Sequence, residues 1–162
     1  MIQPSSKVTP FIWLDNQAEA AAELYVSLFP NSRVVEVAHW AEGAPFAKGS
    51  VMSATFELDG RQFIAFNGGA QLSQTAAFSM FVSCEDQAEV DRYWNALVAD
   101  GGSPGQCAWL KDKFGLSWQI VPKALGRLLG DADSARAGRA MKAMMGMTKI
   151  DVAELEQAAA GR

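Results

Sequence analysis

The sequence predicts an α+β fold: two tandem βαβββ modules, over residues 7–69 and 76–122, whose curved mixed sheets enclose a cup, with a helical extension over 123–162. Segments alternating with period two and segments with helical spacing follow one another in the same order twice. The first strand-to-helix junction, Asp15-Asn16-Gln17-Ala18-Glu19, matches the second, Glu85-Asp86-Gln87-Ala88-Glu89, at an offset of 70 residues (Gln17 to Gln87), and Phe11 falls on Phe81 at the same offset. The second module closes on a hairpin from Gly105 to Pro122. Its last strand sets Leu116, Trp118 and Ile120 on one face and Ser117, Gln119 and Val121 on the other.

Val8 to Leu14 is apolar on both faces and reads as a central strand. Asp15 or Asn16 is placed to cap a helix carrying Ala18, Ala21, Ala22, Tyr25, Leu28 and Phe29 at helical spacing, and Pro30-Asn31-Ser32 ends it. Arg33 to Trp40 is a strand and Ala41 to Gly49 a loop. Ser50–Leu58 and Gln62–Asn67 pair across Asp59-Gly60, a short hairpin signal, and Asn67-Gly68-Gly69 reads as a turn. Ala77 to Cys84 starts the second copy as a strand. Asp86 or Glu85 caps a helix burying Val90, Tyr93, Trp94, Leu97 and Val98, Gly101-Gly102 stops it, and a loop runs through Pro104 into the closing hairpin. In that hairpin Lys111-Asp112-Lys113 reads as a polar break, and Gly115 supplies the reversal. Beyond both repeats, Leu125, Leu128 and Leu129 predict a short helix and Met141, Met144 and Met145 a stripe on a second; Thr148 with Asp151 is placed to cap a third. Such helices close over a sheet face or a neighbouring subunit, or form a methionine-lined lid over the cup.

Composition narrows the function classes. A chain that is 49% hydrophobic and 20% charged reads as a soluble globular protein, and its net charge of −4 speaks against a nucleic-acid or anionic-membrane partner. No apolar run reaches the ~18 residues of a membrane span. Met1-Ile2-Gln3-Pro4-Ser5-Ser6 lacks a signal-peptide core, and two cysteines make no disulfide scaffold, so the expected location is cytoplasmic.

The repeated order βαβββ resembles the vicinal oxygen chelate superfamily of glyoxalases, extradiol dioxygenases and bleomycin-resistance proteins. Within it the chain is similar to the PhnB-like branch, often labelled 3-demethylubiquinone-9 3-methyltransferase. The carrying segments are Thr9-Pro10 with Trp13-Leu14-Asp15, Ser27-Leu28-Phe29-Pro30-Asn31-Ser32, Glu57-Leu58-Asp59-Gly60, Asn67-Gly68-Gly69, Glu89-Val90-Asp91 with Trp94, Cys107-Ala108-Trp109-Leu110, and Phe114 to Pro122. The Met-rich stretch and the Lys149-Ile150-Asp151 helix are also similar. The resemblance implies a divalent ion in the cup, held by His, Glu or Gln from the first, fourth, fifth and eighth strands. At those places stand Val8, Thr9 or Pro10; Ile64, Ala65 or Phe66; Phe78 or Ser79; and Gln119. Only Gln119 is a usable donor, and a neutral carboxamide is weak without anionic companions. The expectation is therefore no metal ligand set and no cofactor, with a divalent metal kept as the lesser alternative. Nor does the methyltransferase activity implied by the branch's label follow: the junction Leu14-Asp15-Asn16-Gln17 has no glycine.

Gln119 and His39, the single histidine, are the catalytic candidates. His39 is either a solvent-facing strand-edge residue or a general base at the cup rim under the 41–49 loop. Ligand-binding candidates are Trp13, Asn67, Ser79, Trp109, Ser117 and Gln119. Of the tryptophans, Trp94 reads as core and Trp118 as packed under a helix, while Trp13, Trp40 and Trp109 are free to line the cup. Cys84 and Cys107 read as core fillers, with Glu85 raising the Cys84 thiol. The leading expectation is a homodimeric small-molecule binding protein or enzyme with a mostly apolar cup and no strong metal site. The alternatives are a metal-dependent lyase, isomerase or dioxygenase, and a non-catalytic dimeric interaction module.

Overall fold

The computed structural model describes residues 6–162; Met1 to Ser5, most of the stretch read above for an apolar leader, lie outside them. The chain divides between Ser73 and Gln74 into two compact units. The first contains β1 (Phe11–Leu14), α1 (Ala18–Leu28), β2 (Arg33–His39), β3 (Val51–Leu58) and β4 (Arg61–Asn67). Its sheet runs β1-β4-β3-β2, with β1 parallel to β4 and the other pairs antiparallel. The second contains β5 (Ser79–Cys84), α2 (Gln87–Val98), β6 (Ser103–Pro104), β7 (Trp109–Lys111) and β8 (Ser117–Pro122), in the equivalent order β5-β8-β7-β6. Helices α3 (Lys123–Leu129), α4 (Ser134–Gly146) and α5 (Val152–Ala159) belong to the second unit. The expected fold class, two four-stranded mixed sheets with helices, is the one observed.

In the first module one sheet face is built for a helix. Ile12, Leu14, Ala54, Phe56, Phe63 and Ala65 share that face and are buried, as are Ala18, Ala21, Ala22 and Tyr25 of α1. Three alanines let the helix approach closely, and the Tyr25 ring meets Phe56 at 6.0 Å. The β3–β4 hairpin turns through Asp59 and Gly60, at φ 47° and 74°, the paired left-handed conformations of a two-residue turn. Two expectations change. The first strand is shorter than Val8–Leu14 and lies at the sheet margin, because Pro10 has no N–H to give a ladder, and Val8 is 86% exposed. Neither Asp15 nor Asn16 caps α1. Its first N–H, on Ala18, donates to Asn67 Oδ1 from β4 at 2.8 Å.

The second module does cap its own helix. Asp86 accepts the Glu89 N–H at 3.0 Å, and the Glu85 N–H donates to the Glu89 carboxylate at 2.9 Å. Val90, Tyr93, Trp94 and Leu97 are buried where α2 packs on β7 and β8. The predicted loop through Pro104 contains β6, two residues that complete the fourth strand by pairing with Leu110 and Lys111.

The tail is part of this unit. Leu125, Leu128, Ala140, Met147, Ile150, Leu155 and Ala159 form one buried cluster with Ala108, and Val121 packs against it. The Cys107 and Ala108 N–H groups donate to the carbonyls of Met147 and Thr148 at 2.8 and 3.0 Å. Gln87 reaches from α2 to donate to the Ile150 carbonyl and to accept the first N–H of α5, on Val152. Beside it Lys149 bonds Asp91 at 2.6 Å; that ammonium, then Gln87, holds the Asp91 carboxyl below its usual range. Of the expected methionine stripe on α4, Met144 packs against this cluster beside the buried Ala140, while Met141 and Met145 are exposed. Asp151 caps α5 through the Glu154 N–H, without help from Thr148. Among the described residues no helix is long and apolar enough to cross a membrane.

Candidate functional site

The first module leaves the sheet face opposite α1 without a helix, and its composition differs from a core. The register puts Trp13, Phe66, Ser53 and Ala38 in one row across four strands. Phe11, Ile64, Thr55 and Glu36 form the next row. Phe66 is the hub of an aromatic group: its ring centroid lies 5.3 Å from Phe11, 5.3 Å from Trp13 and 5.8 Å from Trp40. Phe46 stacks on Trp40 at 4.9 Å. It comes from the 41–49 loop, whose neck is closed by hydrogen bonds from the Trp40 N–H to the Ser50 carbonyl and from the Gly49 N–H to the Trp40 carbonyl. Ser53 and Thr55 are the buried polar side chains on these rows.

Trp13 is held by the turn that reads as Asn67-Gly68-Gly69. Its indole Nε1 donates to the Gly69 carbonyl at 2.9 Å, and the ring lies against Gly68 so closely that a Cβ there would overlap it. Glycine is therefore required at 68 by close approach, not by backbone angle. Gly68→Ala is expected to push the indole off the turn, shifting the tryptophan emission and lowering stability by about 1–3 kcal/mol. An unchanged spectrum and melting curve would contradict this.

The candidate residues separate by role. Asn67 is not available to a ligand: Oδ1 takes the Ala18 N–H, and Nδ2 donates to the Val51 carbonyl at 3.1 Å. His39 is exposed at the end of β2, where a register shift follows Ala38, and no hydrogen bond orients it as a base. In the second module, Ser79, Phe81, Ser117, Gln119 and Trp109 share one face by register. Gln119 Nε2 donates to Ser79 Oγ at 2.9 Å, Trp109 and Phe81 flank Gln119, and Ser117 is buried opposite Ser79.

Asp112, read as part of a polar break, is the organising residue of the closing hairpin. It is 3% exposed, its Oδ1 accepts the N–H groups of Phe114 and Leu116, and its Oδ2 accepts the Trp118 indole N–H at 2.8 Å. The spacing Asp-x-x-Gly before a strand, an Asx turn with glycine at the reversal, was the available signal. Cys84 is fully buried, and burial, then the Glu89 carboxylate, pushes its thiol up to about 12. The second of these causes is Glu89, one helical turn beyond the Glu85 named from sequence. At pH 8 iodoacetamide is expected to label the half-buried Cys107 and leave Cys84 unmodified in the native protein. Rapid labelling of Cys84 would contradict the assignment.

Among the described residues, no group of three or more His, Cys, Asp or Glu converges as a metal site needs. The divalent ion that the resemblance implies does not fit the donors present, because Gln119 and Ser79 offer only neutral oxygens and the Ser79 hydroxyl already accepts from Gln119 Nε2.

The family model described as 3-demethylubiquinone-9 3-methyltransferase matches residues 6–121. Its match ends before α3. No curated protein matches the chain. Among solved structures, the PhnB protein of Bacillus cereus is 31% identical, with a TM-score of 0.65, over 72% of this chain and 99% of its own. Protein PA1353 of Pseudomonas aeruginosa shares the fold at 18% identity and a TM-score of 0.59, over 73% of this chain and 98% of its own. The fosfomycin-resistance protein FosX of Listeria monocytogenes is more distant, at 14% identity and a TM-score of 0.45, over 72% and 89%. On the matched residues, the chain belongs to the 3-demethylubiquinone-9 3-methyltransferase family, to which the PhnB protein is also assigned.

Proposed function

We propose that this chain binds a small neutral aromatic molecule on the helix-free face of its first module, without a strong metal centre. The observation that carries the reading is the aromatic group Phe11, Trp13, Trp40, Phe46 and Phe66, gathered on a face that α1 does not cover. Such rings take a planar partner by offset stacking and edge contacts, and the row through Trp13, Phe66, Ser53 and Ala38 carries no charge. The Ser79–Gln119 pair, with Trp109 beside it, is a second polar place for a ligand, on the second module. Binding, not methyl transfer, is the function proposed. The N-terminus of α1, which common methyltransferases offer to their cofactor behind a glycine-rich turn, here has no glycine before it and is occupied by Asn67.

A thermal-shift titration of chelator-treated protein with neutral aromatic compounds, 2-naphthol among them, tests this. A ligand at a hundred times its dissociation constant stabilises by about 2.7 kcal/mol. That raises the melting point by about 5–10 °C for a chain of this size. Insensitivity to every aromatic compound, or binding only after a divalent metal is restored, would overturn the reading.

A further inference from the structure

Among the described residues, one fully buried side-chain polar atom lacks a hydrogen bond, and it lies on the aromatic face. Ser53 is 1% exposed, and its Oγ is buried without a hydrogen bond. Buried hydroxyls nearly always have a partner, so an orphan calls for an explanation. Its place in the sheet supplies one. Ser53 stands in register between Phe66 of β4 and Ala38 of β2, with Trp13 one strand further along the same row. The neighbours across the row are thus an aromatic ring and a methyl group, and neither can bond it.

We propose that Ser53 is the specificity-determining residue of the aromatic site, and that its ligand is an aromatic ring bearing a hydroxyl or carbonyl oxygen. This rests on the binding reading above and adds the ligand's polar group. A serine hydroxyl both donates and accepts, so it matches a phenol or an aryl ketone equally, but gives nothing to a hydrocarbon of the same shape. The row holds no charged side chain, which favours a neutral oxygen over a carboxylate or phosphate. An aromatic hydrocarbon would leave the orphan unbonded, and a site built to bond an oxygen discriminates against the analogue that lacks it.

The test compares 2-naphthol with naphthalene by calorimetric titration of the full chain, wild type and Ser53→Ala. Wild type is expected to bind 2-naphthol about tenfold more tightly, as one net hydrogen bond gives. Ser53→Ala should bring the two affinities within about twofold of each other, and its melting point should equal or exceed wild type, since no bonded group is lost. Ser53→Cys, nearer in size, should also lose the preference if Ser53→Ala proves poorly folded. A tenfold preference that survives in the variants, or wild-type affinities that are equal, would overturn the role of Ser53 while leaving the aromatic site standing. Failure of both compounds to bind wild type would remove the site and this inference together.

Discussion

Replacing Asp112 with alanine is expected to cost the second module about 3–5 kcal/mol. The carboxylate is buried and collects three donors: the Phe114 and Leu116 N–H groups at 2.9 and 3.0 Å and the Trp118 indole N–H at 2.8 Å. Removing it leaves all three without their acceptor, and each buried orphan costs about 1–3 kcal/mol. Trp118, among the largest fully buried side chains, loses the bond that fixes its ring. Asp112→Asn keeps one acceptor oxygen but turns an amide N–H₂ towards one of the donors, so an intermediate loss is expected. Urea unfolding followed by tryptophan fluorescence measures both. A loss below about 1 kcal/mol for the alanine variant would show that the hairpin does not depend on this residue.

Truncation after Pro122 is expected to leave the second module unfolded. The tail provides most of a buried cluster, with Ile150 and Leu155 fully covered, and losing even one such leucine to alanine costs about 2–5 kcal/mol. It also holds a strained piece of backbone. Cys107 and Ala108 sit at φ 55° and 74°, the left-handed region that residues with a Cβ avoid, and their N–H groups are tied to the tail carbonyls of Met147 and Thr148. Hydrogen exchange on the truncated chain should show loss of protection in β7 and β8. Full protection there would mean the tail is an accessory. The family match ends at residue 121, so this dependence concerns a part of the chain that the family model does not describe.

Features written in neighbouring residues were legible in the sequence. The Asp59-Gly60 hairpin, the Asp86 cap and the alternation that sends Trp118 and Gln119 to opposite faces each depend on a few adjacent positions. The misses share a different cause. Asn67 caps a helix that starts 49 residues earlier, a pairing set by the β1–β4 register and invisible to a local window. Asp112 reads as part of a polar break between two lysines, and its burial follows only once the hairpin folds Trp118 back onto it. Helical spacing predicts a stripe of Met141, Met144 and Met145 on α4, but not that Ala140 and Met144 turn to the cluster while Met141 and Met145 stay exposed. Within the candidate site, Trp13 and the Ser79–Gln119 pair were named from sequence. Phe11, Phe46 and Ser53 were not, and Phe66 stood only as one of three residues at the fourth strand's place, because their convergence follows from register across four strands and a returning loop.

The ligand is expected on the face of the first sheet that α1 does not cover. The most direct measurement is an NMR titration of the isotope-labelled chain with 2-naphthol, following the indole N–H signals of Trp13 and Trp40 and the backbone amides of Ser53 and Phe66. Saturable shifts at these four positions, unchanged by chelator, are predicted. Shifts that miss all four, or that appear only when a divalent metal is added, would contradict the claim.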